Sequence, residues 1–369
     1  MIVPLYSVSI PRGVGEKVEA VLQSGRIASG EYVLQFEEQL RGFIENPLLI
    51  ATGDMSTSLV MSLYLAGVRP DDEVVASPMA CLATNAPIRN LFARVKWCDC
   101  DPDTGAMDPD SLKGALSLKT KAILVNHWAG NPADLSPIYD VARSEGIPVV
   151  EDASEALGAE YCEKKLGNTG GDFVVYSFYP NRHLTTVEGA AIAFKDPALF
   201  ERCRWLRRYG IHVPSFRTDE GEINPFSDIP EAGWNSYMNQ VSAVVGLSQM
   251  GTLRERLAIH QSNGQFYDGV FRNLECVSPL RRPSRTKSAY WVYTLLTSDR
   301  ERLSQYLSQH GVQTSRVHIR NDIYSCFETQ ASDLPGVAEF SRRALSIPSG
   351  WWVSPEQRDW IAELIVSFR

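Results

Sequence analysis

Short apolar runs that are typical of β-strands alternate with helix-like segments through the first two-thirds of this 369-residue chain. The helix-like segments include residues 57–66 and 135–145, where apolar residues recur at helical spacing. The strand-like runs are residues 48–51, 73–76, 93–97, 121–125, 147–150, 173–176 and 190–194. This alternation predicts a large, mainly parallel seven-stranded sheet whose two faces are covered by helices.

The pattern changes after residue 250. A charged amphipathic stretch at 253–273 leads into a strand-like run at 288–296. Helix-like segments follow at 299–309 and 355–368. The length is sufficient for two domains. We therefore predict a large α/β domain over residues 1–250 and a small α+β domain over residues 251–369.

Composition excludes several classes of protein. The chain is 44% hydrophobic and 22% charged, which is typical of a folded soluble protein. A net charge of −8 argues against a nucleic-acid partner. No apolar run reaches the roughly 18 residues of a membrane span, and the first residues lack a basic segment typical of a signal peptide. Seven scattered cysteines fit reduced thiols. We expect a cytoplasmic protein without a metal or membrane partner.

Polar residues follow two of the predicted strands at their carboxyl ends. Asp152 follows the run at 147–150 by two residues, and Ser177 directly follows the run at 173–176. The segment after Ser177 also carries Arg182 and Glu188. Because α/β sheets place ligand sites at the carboxyl ends of their strands, these side chains are predicted to share one site.

Residues 177–190 resemble the cofactor-binding segment of the DegT/StrS family of sugar aminotransferases, which reads roughly S-F-x-x-x-K-x-(L/I)-T-T-G-(E/D)-G-G. Weaker matches at residues 24–30, 126–134, 316–322 and 344–348 extend the resemblance nearly from end to end. The resemblance implies the aspartate aminotransferase-like fold of type I enzymes, which use pyridoxal phosphate (PLP). It also implies a homodimer with shared active sites and a sugar-like substrate.

Arg182 departs from the family at its most important position. In the family a lysine stands there and forms a Schiff base with PLP. An arginine guanidinium stays protonated and is a poor nucleophile, so it cannot form that imine. The resemblance therefore implies PLP or pyridoxamine phosphate (PMP) held non-covalently, or a cofactor that has been lost.

Three residues are assigned near the cofactor ring by the resemblance. Asp152 matches the aspartate that pairs with the protonated pyridine nitrogen, although an aspartate there could also cap a helix. Glu155 stands where the family usually has His or Gln. Cys81 stands where many relatives stack an aromatic ring, and it is equally read as a small core residue.

Four further residues are assigned to the cofactor phosphate. Ser56 and Thr57 begin a predicted helix, whose free N–H groups suit a phosphate, or they are a plain N-cap. Ser177 would add a hydroxyl. Asn235, in a turn resembling G-(Y/W)-N-x-x-M, would reach the phosphate of the neighbouring subunit, or it is a turn residue.

The remaining candidates carry acid–base or substrate roles. His183 and Glu188 are candidates for moving protons. In an extended segment, however, His183 would point away from the face that carries residue 182. His318, Arg320 and Asn321, in a V-H-x-R-N-D segment, would face substrate or form a surface turn.

Three functions compete. We rank first a diverged enzyme that uses non-covalent PLP or PMP on a nucleotide-linked keto-sugar, by slow transamination or by dehydration as in keto-deoxysugar dehydratases. The second is a homologue that keeps the fold for binding, regulation or a cofactor-free reaction. The third is a natural or engineered aminotransferase variant in which Arg182 abolishes turnover. Glu155, Val187 and Ala190 also depart from the family, which argues against a single engineered change.

Overall fold

The computed structural model describes residues 2–328 and 333–368. Its strands are β1 (Leu49–Thr52), β2 (Glu73–Ala76), β3 (Arg94–Trp97), β4 (Thr120–Asn126), β5 (Val149–Asp152), β6 (Glu160–Tyr161), β7 (Lys164–Lys165), β8 (Phe173–Ser177), β9 (Ala190–Phe194), β10 (Ser278–Pro279), β11 (Thr286–Lys287), β12 (Tyr293–Leu296) and β13 (Ala344–Ile347). Its α-helices are α1 (Val14–Gln23), α2 (Glu31–Ile44), α3 (Met55–Leu65), α4 (Leu82–Asn90), α5 (Pro109–Ala115), α6 (Leu135–Glu145), α7 (Pro197–Leu206), α8 (Val213–Phe216), α9 (Gln240–Phe271), α10 (Arg300–Gln309), α11 (Pro335–Arg343) and α12 (Pro355–Ser367).

Seven strands form the main sheet in the order β1-β9-β8-β5-β4-β2-β3. The pairs β2–β3, β2–β4, β4–β5 and β5–β8 are parallel. Strand β9 runs antiparallel to both of its neighbours. Every residue of β5, β8 and β9 is buried, as expected for strands covered on both faces. The predicted fold class, a mainly parallel seven-stranded sheet, is confirmed.

Helices cover both faces of this sheet. One face packs against apolar side chains of α2, α5, α6 and α9, including Phe36, Leu112, Ile138 and Leu257. The other face packs against α3 and α7 through residues such as Leu59. The sheet is therefore the middle layer between two hydrophobic cores.

Two small sheets lie outside the main one. Strands β10, β12 and β13 form an antiparallel sheet, and β11, β6 and β7 form another. The apolar faces of α10 and α12 pack against the first of these through Leu303, Leu307 and Ile361. The amphipathic stretch at 253–273 lies largely in α9, which begins at Gln240, so the domain boundary predicted at residue 250 falls inside this helix. The division into two domains stays a prediction.

The strand predicted at 288–296 is shorter than expected. Only Tyr293–Leu296 forms β12. The residues before it are bound instead to a turn of the large sheet: Ala289 N donates to Gly130 O at 2.9 Å, and Trp291 N donates to Ala129 O at 3.1 Å. These bonds bring the aromatic side chain of Trp291 to the carboxyl edge of the main sheet.

Within residues 2–328 and 333–368, no helix is both long enough and apolar enough to cross a membrane.

Candidate active site

A cavity of about 600 Å³ lies where β8 ends and helix α3 begins. Segments of the C-terminal third close its far side through Trp291 and residues 315–318. The structure brings six of the residues selected from the sequence to its wall: Ser56, Cys81, Ser177, Arg182, Glu188 and His318. A narrow recess adjoins it and shares Cys81, Arg182 and His318 with it. That these residues bind a ligand stays a prediction.

Asp152 borders the recess. It is the last residue of β5 and is buried. Its Oδ2 accepts a hydrogen bond of 2.5 Å from Thr84 Oγ1, and its Oδ1 accepts one of 2.9 Å from Ser154 N. These hydrogen bonds hold the Asp152 carboxyl group in one orientation at the recess.

Arg182 lies between the recess and the cavity. Its side chain is only 9% exposed, and its guanidinium stacks 4.3 Å from the ring centroid of Trp291. Nη1 donates to Asn181 Oδ1 at 3.2 Å, and Nη2 lies 3.8 Å from Glu155 Oε1. Nε is buried without a hydrogen-bond partner among the described residues. The guanidinium is therefore fixed in position by Trp291 and Asn181, and one of its N–H groups lacks a hydrogen-bond partner among the described residues.

Glu155 bonds to residues from two distant segments. Its Oε1 lies 2.7 Å from His318 Nε2, and its Oε2 accepts a 2.8 Å hydrogen bond from Ala129 N. Burial alone would raise the pKa of Glu155. The opposite effects of His318, Arg182 and the Ala129 N–H outweigh it and lower that pKa. Glu155 is accordingly an ionised carboxylate beside the recess.

The beginning of α3 carries the residues assigned to a phosphate. Ser56 and Ser177 line the cavity, whereas Thr57 does not. The backbone N–H of Thr57 donates to Asp54 Oδ1 at 2.7 Å. Glu188 also lines it, and burial together with the nearby Asp54 carboxylate raises its pKa. This part of the wall combines hydroxyls with two carboxylates.

His183 does not line the cavity or the recess. It is buried, its Nε2 lies 3.1 Å from Ala289 O, and its ring packs 4.7 Å from His260. Burial holds the pKa of His183 well below its ordinary value, and the neighbouring His260 and Arg182 act in the same direction. The structure thus places the predicted base behind the site. Residues 180–184 form a turn and bends, in place of the extended segment that the sequence analysis assumed.

The buried pair His183 and His260 predicts acid-sensitive stability. Burial lowers the pKa of His260 from 6.5 to about 4, and the nearby Arg256 contributes. Because the unfolded chain protonates first, each such histidine lowers the free energy of unfolding by about 1.4 kcal/mol per pH unit as pH falls below 6.5. Urea unfolding at several pH values should show the contribution of His260 to this loss levelling off near pH 4. His260→Asn should flatten the slope, and the exposed control His310→Asn should leave it unchanged. An unaltered slope in His260→Asn would contradict the assignment.

Three assigned residues lie away from the cavity. Asn321 is fully buried, and its Nδ2 donates to Pro78 O at 3.0 Å and to Ala80 O at 2.5 Å, so it supports the Cys81 loop instead of facing a substrate. Arg320 pairs with Asp322 at 2.5 Å. Asn235 is exposed, and its backbone pairs with that of Arg208 in an isolated antiparallel β-bridge. Arg320 and Asn321 therefore do not line the cavity, and the contact of Asn235 with a neighbouring subunit stays a prediction.

Sequence reasoning missed several residues of the site. Tyr6 and Trp291 form an aromatic wall, with ring centroids 5.0 Å apart. Thr84 supplies the second hydrogen-bond donor to Asp152. No local pattern marks Tyr6 or Trp291, because they reach the cavity only through long-range folding. The polar run around residue 84 was a usable signal for Thr84.

Comparisons with known proteins give a consistent result. A profile of the DegT/DnrJ/EryC1/StrS aminotransferase family matches residues 12–366. The solved sugar aminotransferase CalS13 from Micromonospora echinospora is 34% identical, with a TM-score of 0.94 and full coverage of both chains. The GDP-perosamine synthase of Caulobacter vibrioides is 29% identical over 346 residues, which cover 91% of this chain and 90% of that protein.

A more distant solved structure has the same fold. Spr1654 from Streptococcus pneumoniae, solved in a PMP form, is 21% identical with a TM-score of 0.89, covering 99% of this chain and 98% of its own. Its PLP form is 22% identical with a TM-score of 0.88, covering 98% and 97%. At this identity the likeness shows the fold alone, which is the fold of type I PLP enzymes.

Proposed function

The chain belongs to the DegT/DnrJ/EryC1/StrS aminotransferase family, and from that membership we propose that it acts on a nucleotide-linked keto-sugar with PLP or PMP held non-covalently. Arg182 stands where the family has its Schiff-base lysine, and this replacement is part of the proposal. The observation that carries it is twofold. The buried Asp152 carboxyl group lines the recess, and no lysine among the described residues lines either the recess or the adjoining cavity.

The residues of the site fit such a cofactor. Asp152 is buried, accepts hydrogen bonds from Thr84 Oγ1, Ser154 N and Ser154 Oγ, and lines the recess, which suits a protonated pyridine nitrogen. Ser56 and Ser177 line the cavity, and the buried Nε of Arg182 has no hydrogen-bond partner within residues 2–328 and 333–368. A cavity of about 600 Å³ is within the range that ligands of this size occupy.

When bound, the cofactor supplies an electron sink for carbanion chemistry. The protein's residues would hold and orient it: the Asp152 carboxyl group would pair with the pyridine nitrogen, and Trp291 and Tyr6 form an aromatic wall. Arg182 neutralises negative charge next to Glu155 but cannot replace the covalent link. We therefore expect turnover well below that of a lysine-bearing relative.

The substrate class follows from the relatives. One relative is named a GDP-perosamine synthase, and another a sugar aminotransferase. The cavity combines carboxylates, hydroxyls and aromatic side chains, which suits a sugar ring with polar edges and apolar faces. His318 lines the cavity and is the substrate-facing residue of the V-H-x-R-N-D segment that we retain.

The oligomeric state is proposed on the same basis. Apolar side chains are exposed at Val213, Ile223 and Phe226, on the same chain segment that leads to the exposed Asn235. Exposed apolar surface of this kind marks interaction sites. We propose that a second copy of the chain covers it and that Asn235 reaches the partner's cofactor phosphate. The seven free cysteine thiols support the cytoplasmic location that we also propose.

One observation favours a second candidate, a homologue that binds ligands or partners without the cofactor. The Asp54 carboxylate already accepts the Thr57 N–H at the start of α3, where a phosphate would bind. Asp54 and Glu188 together make this part of the wall acidic.

Turnover separates the two candidates. Purified protein is incubated with PMP and a nucleotide-linked keto-sugar, and the sugar product is identified by mass spectrometry. The proposal expects a protein-dependent amino sugar or dehydrated sugar. Binding of PMP without any product would favour the second candidate, and heat-treated protein is the control.

A further inference from the structure

His318 and Glu155 are joined by a short hydrogen bond between distant parts of the chain. His318 Nε2 lies 2.7 Å from Glu155 Oε1. Both side chains are largely buried, at 13% and 8% exposure. Both line the recess beside Asp152, and His318 also lines the cavity. The pair therefore stands at the junction of the two spaces.

Neighbouring groups fix the orientation of both side chains. The second oxygen of Glu155 accepts the Ala129 N–H at 2.8 Å. The His318 ring packs edge-on to Trp128, with centroids 5.5 Å apart. Backbone and aromatic contacts of this kind hold a side chain in one rotamer, which preorganises a site.

The hydrogen bond also fixes the tautomer of the imidazole. A carboxylate only accepts hydrogen bonds, so Nε2 carries the proton in the neutral ring and Nδ1 keeps its lone pair. Among the described residues, Nδ1 has no hydrogen-bond partner, and it is not one of the buried unpartnered atoms. It is consequently accessible from the cavity that His318 lines.

We propose that His318 is the general base of this site and that Glu155 is its positioning residue, together replacing the proton transfer that Arg182 cannot perform. This role goes beyond substrate contact for His318 and beyond cofactor contact for Glu155. It rests on the proposed function, because the base needs a ligand with an acidic C–H bond in the cavity.

The proton and electron balance is simple. The C–H bond of the ligand breaks, a bond between the proton and Nδ1 forms, and the electron pair passes into the ligand's own conjugated system. The imidazolium that results is stabilised by the Glu155 carboxylate, and it then returns the proton to the ligand. Arg182 stays protonated throughout and, 3.8 Å from Glu155, helps to keep that carboxylate ionised.

The first test uses the protein without cofactor. Diethyl pyrocarbonate acylates accessible, unprotonated imidazole nitrogen, and peptide mapping locates the modified histidines. We expect modification at His318 and at the exposed His310, and none at the buried His127, His183 and His260. An unmodified His318 in a preparation whose His310 is modified would overturn the proposal, since Nδ1 would then be inaccessible.

The second test measures proton transfer. With PLP and L-glutamate as the probe in D₂O, proton NMR follows loss of the Cα hydrogen, with PLP alone as background. His318→Gln should lower the protein-dependent rate about 100-fold, in the range typical of a general base. Glu155→Gln should lower it at least about tenfold and change its pH profile, while Glu155→Asp should restore part of the rate.

The controls separate this inference from the proposed function. His310→Gln should exchange like the unaltered protein. Calorimetry should show that His318→Gln still binds PLP. If the unaltered protein binds neither PLP nor PMP, the proposed function fails while the acylation test still reports on the dyad. If PLP binds and His318→Gln exchanges the Cα hydrogen of glutamate at the rate of the unaltered protein, the proposal for His318 and Glu155 fails while the proposed function stands.

Discussion

Arg182→Lys is expected to convert a protein that PLP does not label covalently into one that it labels at residue 182. Incubation with PLP followed by borohydride should give a stable adduct, located by peptide mapping, with close to one PLP per chain. The unaltered protein should give none at this position. The change is close to all-or-none, because an imine needs a neutral amine and a guanidinium does not supply one.

The surroundings of residue 182 support this result. The residue lies at the wall shared by the cavity and the recess, so a lysine there stands beside bound PLP. Burial lowers the pKa of a lysine and favours the neutral amine, although the Glu155 carboxylate acts in the opposite direction. Arg182→Gln is the matched control, since it removes the guanidinium without adding an amine. A lysine variant that binds PLP yet yields no reducible adduct would show that residue 182 does not occupy the Schiff-base position.

Asp152→Asn is expected to weaken PLP and PMP binding by about 100-fold or more. Removing one partner of a buried charge pair costs about 3 kcal/mol or more, and each 1.4 kcal/mol is about a factor of ten. Asparagine has nearly the same shape, so packing around β5 should survive. Thr84 Oγ1 and Ser154 N now donate to different oxygens of the carboxylate. In the variant Ser154 N can still donate to the amide oxygen, and the Thr84 hydroxyl can instead accept from the amide nitrogen.

Asp172→Asn is the matched control for this measurement. Asp172 also accepts a backbone hydrogen bond, from Val149 N at 2.9 Å, but it does so at the opposite end of β5. The control should bind both forms of the cofactor like the unaltered protein. Equal affinities of Asp152→Asn and the unaltered protein for the cofactor would show that the Asp152 carboxylate does not contribute to cofactor binding. Unfolding curves of both variants check that the fold is retained.

The sheet and its ligand edge could be predicted because their signals are local. Strands β2 and β9 and helix α6 have the bounds that the sequence predicts. Asp152 and Ser177 lie at strand ends, so their place in the fold follows from that of the strands. Boundary errors occur where tertiary contacts decide, as at residues 288–292, which bind to the Ala129–Gly130 turn instead of extending β12.

The pairings inside the site could not be predicted, because they join residues far apart in sequence. Glu155 and His318 are separated by 163 positions and meet only when the C-terminal third closes the cavity. Trp291 and Tyr6 come together in the same way. His183 shows the opposite error, because sequence proximity suggested a place in the site that the side chain does not have. Its neighbour Arg182 lines the cavity, whereas the His183 ring packs against His260.

The measurement that tests the central claim most directly is a calorimetric titration of the unaltered protein with PMP, repeated with Asp152→Asn. PMP carries an amine and cannot form an imine with a lysine, so its affinity reports the non-covalent site alone. Our account predicts saturable binding of one PMP per chain that is lost or at least 100-fold weaker in the variant. No saturable binding to the unaltered protein would contradict a cofactor site in this fold.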